Sequence, residues 1–145
     1  MPHAAARERL AAVRRNPGFI ALRQLYRAVR RENTPEGRAR KLLRQWLTHE
    51  QRQMFDANGY FDVTGCHSSR RYRIYYGTIG NIRELNAEGD PRLGLCFAPA
   101  QSLAPGDVLL AQKIALETDE LGTLAVANCF PSQSRPPLYN GWERG

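Results

Sequence analysis

Cys66 and His67 stand side by side within YFDVTGCHSSRRYRIYYG, residues 60–77, between two runs rich in aromatic and β-branched residues. A thiol next to an imidazole raises two chemistries, metal ligation and nucleophilic catalysis. Zinc needs three or four converging ligands, commonly spaced C-x₂₋₄-C and H-x₃₋₅-H. After Cys66 the next cysteine is Cys96, and the other nearby histidine, His49, is far back in the chain. A Cys/His nucleophile needs the ring to reach the sulfur and a third group to orient the ring. Adjacent residues of an extended strand point to opposite faces, which disfavours such a pair. Residues 65–69, GCHSS, are polar and compatible with a turn. The pair is therefore read as the tip of a hairpin, and neither a metal ligand nor a catalytic residue is assigned.

Other catalytic signatures are missing from the sequence: GxxxxGK[ST], GxGxxG, GxSxG and HExxH do not occur. Residues 73–80, RIYYGTIG, look superficially like the GIY-YIG nucleases but lack that family's two separated motifs, so nothing is carried over. Of the acids Glu117, Asp119 and Glu120, the last two are explained as first-turn residues of a helix. No cofactor is implied. An enzyme whose site assembles from His49, Asp62, Cys66 and His67 is the weakest of three readings, behind two kinds of binding module.

Charge is more informative. The net charge is +7. Residues 1–55 hold 13 Lys+Arg against 4 Asp+Glu, whereas residues 56–145 hold 8 against 10. The whole excess lies in the first third of the chain. Only Lys41 and Lys113 are lysine, and arginine's planar fork suits phosphate and carboxylate. Arg23, Arg27, Arg30, Arg31, Arg38, Arg40, Lys41 and Arg44 fall on two N-terminal helices. Arg70, Arg71 and Arg73 on the hairpin, with Tyr72 and Tyr75 beside them, extend the same chemistry. This surface is expected to bind nucleic acid or another polyanion. The rival is an acidic protein partner, met by an inhibitor or assembly factor, with Arg135-Pro136-Pro137-Leu138-Tyr139 as a further docking segment.

The elements that carry these groups follow from periodicity. A short helix over residues 4–16 is stopped by Asn16-Pro17-Gly18, and residues 19–31 continue with Phe19, Leu22, Tyr26 and Val29 as an apolar stripe. Thr34-Pro35-Glu36 starts the next helix, with Ala39, Leu42, Leu43 and Trp46 inward. Thr48 and Gln51 fit a capping box, and Asn58-Gly59 a left-handed helix end. Period-two runs then predict strands at residues 60–64, 71–76, 81–85 and 93–97, a four-stranded antiparallel meander. A helix capped by Asp107 follows, with Val108, Ala111, Ile114 and Ala115 inward, then a last helix from Thr118-Asp119-Glu120 to about Asn128. Cys96 is expected as a small buried hydrophobe of the sheet.

The fold class is α+β: N-terminal helices, four-stranded meander, two C-terminal helices. It forms one domain over residues 1–130, its basic helices over 1–58, with a disordered Pro-rich tail over 131–145. The three cysteines, an odd and widely spaced set, predict free thiols and a cytoplasmic protein. No apolar run is long enough to span a bilayer, and no membrane partner is expected.

Residues 48–121 resemble a group of short uncharacterised bacterial and phage proteins. The matching strings are Thr48-His49-Glu50-Gln51-Arg52, Gly59-Tyr60-Phe61-Asp62-Val63, Arg71-Tyr72-Arg73-Ile74 and Leu110-Ala111-Gln112-Lys113. The resemblance implies a bacterial or phage origin and assigns no site residue.

Overall fold

Asn16 and Pro17 open a helix. The Asn16 side chain accepts a 2.8 Å hydrogen bond from the Gly18 N–H, and proline sits where a missing N–H is harmless. The triplet expected to stop a helix therefore starts α1, Pro17–Glu32. The computed structural model describes Glu8 and residues 11–12, 16–97 and 102–132, so most of the helix predicted over 4–16 lies outside them. No residue of α1 is buried, and its predicted core stripe is open: Leu22 is 62% and Tyr26 63% exposed.

Helix α2, Pro35–Trp46, begins where Thr34 Oγ1 accepts from the Gly37 N–H at 3.0 Å. Its buried side is Ala39 and Leu43, continued by Leu47 just beyond the helix; Leu42 and Trp46 are exposed. Of the four residues predicted inward, Ala39 and Leu43 are buried, whereas Leu42 and Trp46 are not. The chain divides within α2 into two compact units, Met1–Arg38 and Ala39–Gly145.

In the second unit, α3 (His49–Asn58) has the predicted capping box, Thr48 and Gln51 each accepting the other's backbone N–H at 3.2 and 3.0 Å. It ends at Gly59, whose φ of 73° is the left-handed conformation glycine adopts freely. Strands β1 (Tyr60–Thr64), β2 (Arg71–Tyr75), β3 (Ile82–Leu85) and β4 (Pro91–Cys96) follow as antiparallel neighbours, with a bulge between Glu84 and Leu85. Helices α4 (Pro105–Thr118) and α5 (Glu120–Val126) come next. The core lies on one face of the sheet, where Phe61, Val63, Tyr72, Ile74, Ile82 and Leu95 meet Leu43, Phe55, Leu109 and Leu116.

The meander is larger than predicted. After α5, which stops at Val126, the chain adds β5, Asn128–Pro131, antiparallel to β4, so among the described residues the sheet has five strands. Pro131 thus belongs to a strand; the rest of the predicted tail, 133–145, lies outside the described residues. A strand of four residues ending in proline has too few alternations to stand out in sequence. Gly94 makes room for it: a side chain there would occupy the Phe130 ring. Helix α4 also differs in detail. Ala104 precedes it with Pro105 in the first turn, so Asp107 is not the cap. Leu109, Leu110, Gln112, Lys113 and Leu116 are buried, while Ala111 and Ile114 are exposed. This helix is apolar nearly all round, so periodicity could not set its phase.

Overpacking at the Gly94–Phe130 contact gives a direct check on β5. Gly94→Ala and Phe130→Ala are each expected to lower stability by about 2 kcal/mol in urea unfolding. Together they should be clearly less than additive, because the ring that the methyl displaces is gone; additivity within about 0.5 kcal/mol would refute the contact.

Candidate functional site

The hairpin between β1 and β2 is the turn predicted from GCHSS, with Cys66 and His67 exposed at its tip. The N–H groups of His67 and Ser68 each donate to Glu120 Oε2 at 2.8 Å. Ser68 Oγ and the Tyr72 hydroxyl donate to Glu120 Oε1, the latter at 2.7 Å. Glu120 is 1% exposed, and a side chain at Gly65 would occupy its carboxylate. The Cys66 N–H also donates to the Leu116 carbonyl at 3.2 Å, and Cys66 Sγ accepts from the Glu120 N–H at 3.4 Å. One buried carboxylate thus clamps the hairpin tip to the junction of α4 and α5.

Burial alone would raise the pKa of Glu120. The hydrogen bonds from the Ser68 and Tyr72 hydroxyls and from the Ser68 and His67 backbone outweigh it, and hold the group at about 2. Burial, then the hydrogen bond to Glu120, pushes the Tyr72 phenol above its ordinary range. Tyr72 is wholly buried, so it adds no aromatic surface to the hairpin arginines. Nothing in the sequence near Glu120 signals this role, since its partners lie about fifty positions earlier in the chain.

The outer face of the sheet carries a row that crosses all five strands in register: Asp62, Arg73, Arg83, Gly94, Phe130. Two arginines side by side would repel, and each is drawn outward along the row. Arg73 makes two hydrogen bonds with Asp62, at 2.8 and 3.0 Å, and lies 4.3 Å over the Tyr60 ring. Buried Arg83 donates to the Gly80 and Ile82 carbonyls and lies 4.7 Å over Phe130. The bond to Asp62 raises the Arg73 value further, whereas desolvation lowers that of Arg83. Cys96 is half-buried, less enclosed than predicted.

The other basic residues divide by environment. Arg44 pairs with Asp56, Arg70 lies 3.4 Å from Glu84, and half-buried Arg40 sits 4.8 Å over the Tyr76 ring. Arg23, Arg27, Arg30, Arg31, Arg38, Lys41 and Arg71 are exposed. Within the first unit, α1 has no acid before Glu32.

Inside the second unit, Asn81 and Gln112 exchange side-chain hydrogen bonds at 2.7 and 3.0 Å, and Lys113 pairs with Glu117 at 2.6 Å. These contacts make inward polar positions of α4 affordable, because each group is satisfied. An open apolar pocket of about 250 Å³ is lined by Phe97, Leu103, Val108, Ala111, Ala115 and Thr123. It has no titratable group with which to do chemistry. Among the described residues no three His, Cys, Asp or Glu side chains converge on a metal-sized site, and no helix is long and apolar enough to cross a membrane.

The Glu120 clamp has a pH signature. A carboxylate held at about 2 when folded, against about 4.3 in an unfolded chain, adds about 3 kcal/mol above pH 5, and this is lost as pH falls towards 2. Glu120→Gln is expected to lower stability by roughly that amount at pH 7 and to flatten the acid limb of the stability profile. Cys66→Ser with His67→Ala should change stability by less than about 0.5 kcal/mol, since His67 enters the clamp through its backbone N–H and a serine hydroxyl can accept from the Glu120 N–H in place of Cys66 Sγ. Urea midpoints measured from pH 2.5 to 7 check both, and an unchanged acid limb in Glu120→Gln would refute the clamp.

Comparison with known proteins returned no matching family model, no matching curated protein and no matching solved structure.

Proposed function

We propose that the chain is a small, non-catalytic module that binds nucleic acid through the arginines of its first unit. The observation that carries this reading is α1 itself. Arg23, Arg27, Arg30 and Arg31 are exposed on a helix whose only acid is its last residue. Arg38 adds a further exposed cation in the same unit. A solvated basic face needs no partner. A face this one-sided in sign, however, attracts phosphate backbones strongly and with little sequence preference. Arginine's fork favours phosphate oxygens over a simple point charge. In the second unit Arg44, Arg70 and Arg73 have acidic neighbours, so they contribute less free positive charge than the sequence grouping suggested.

A second reading has its own support. Leu22, Leu25 and Val29 on α1 are also exposed, and an amphipathic helix can lay such a face into an apolar groove of an acidic protein. Salt dependence separates the two. Binding to random-sequence DNA or RNA is expected to weaken with a log–log slope of about −0.9 per duplex phosphate contacted. Replacing Arg27, Arg30, Arg31 and Arg38 by glutamine should flatten that slope by several units, weaken all sequences alike and leave the thermal transition near wild type. Protein that ignores both nucleic acids at about 0.05 M salt, where such attraction is strong, would refute the proposal and favour the acidic protein partner.

A further inference from the structure

Resting on that reading, we infer that the nucleic acid taken by α1 is single-stranded, its bases stacking on Phe19 and Tyr26 while the arginines hold its phosphates. Residues 19, 23, 26, 27 and 30 recur at intervals of four, three, one and three along α1. At 3.6 residues per turn they fall within an arc of about 100°, on one face of the helix. The order along that face is aromatic, cation, aromatic, cation, cation. Phe19 is 39% and Tyr26 63% exposed, and neither is buried by its own unit's helix. They are seven positions apart, about 10.5 Å along the axis, so they would receive bases that are close but not consecutive. The Arg30 guanidinium lies over the Tyr26 ring, 5.7 Å from its centre, so it covers one face while the residue stays largely exposed and the other face is left for a base.

Duplex DNA offers phosphates to the arginines but hides its base faces in the stack. A single strand offers both. Interleaved cations and exposed aromatic rings are the physical requirements of a single-strand platform, whose stacking tolerates any sequence because every base has a π-face. The helix also has the rigidity to present them. Asn16 caps its start, and the Asn33 N–H closes its last turn on the Val29 carbonyl.

The test compares a labelled oligothymidylate of about 20 nucleotides with a duplex of about 20 base pairs, by anisotropy at about 0.1 M salt. Full-length protein is expected to hold the single strand about tenfold more tightly. Phe19→Leu with Tyr26→Leu should lose about tenfold or more on the single strand and stay within about twofold on the duplex. Leucine keeps the helix-forming tendency and circular dichroism should not change. Arg23→Gln with Arg27→Gln should weaken both probes together. Equal affinity for the two probes, or a leucine variant that binds the single strand like wild type, would overturn the inference and leave the arginine reading standing. Failure to bind either probe would overturn that reading as well.

Discussion

A single buried carboxylate ties together parts of the second unit that the chain makes far apart. Glu120 accepts hydrogen bonds from a backbone turn, a serine and a tyrosine, all on the β1–β2 hairpin, while its own N–H belongs to the start of α5. A lone buried charge would be strongly unfavourable; four donors aimed at it reverse the sign. The hairpin tip, the α4–α5 junction and the second strand therefore share one electrostatic anchor. Glycine at position 65 is part of the same constraint, because only a residue without a side chain leaves room for the carboxylate.

The same logic explains why polar residues sit where apolar ones were expected on α4. Gln112 and Lys113 face inward because Asn81 and Glu117 meet them, whereas Ala111 and Ile114 on the other side are exposed. Local apolar spacing carries no information about such partners. Where a helix has one apolar stripe and clear end signals, the sequence was a good guide: the Thr48 capping box and the Gly59 end are where their residue types require them. The α+β class, the antiparallel order and the first four strands were likewise legible, since alternation over five residues has few other physical explanations. Strand β5 was not legible. Its evidence lies in a glycine on β4 that leaves space for a ring more than thirty positions later, a relation visible only in the folded sheet.

The candidate site shows a similar division. That Cys66 and His67 belong to a turn could be read from composition. That the turn holds a buried carboxylate through the His67 and Ser68 N–H groups and the Ser68 hydroxyl could not. The arginine excess of the first third of the chain was plain, but net charge does not say which arginines are occupied. Arg73 illustrates the difference: Asp62 and Tyr60 hold it within the sheet row, although in sequence it looks the equal of Arg71. In α1 the reverse holds. The stripe of Phe19, Leu22, Tyr26 and Val29 has the spacing of a core face, yet all four residues are exposed, so apolar periodicity there marks a surface.

The short fifth strand has a consequence beyond stability. Among the described residues β5 is one border of the sheet, and the unpaired backbone groups of a border strand are a template on which another chain can add. Without β5 that border would be β4, which is six residues long. With it, the border is four residues long and ends in Pro131, which has no N–H to offer a newcomer. The strand that is hardest to see in the sequence thus also shortens the edge through which copies of the protein could aggregate.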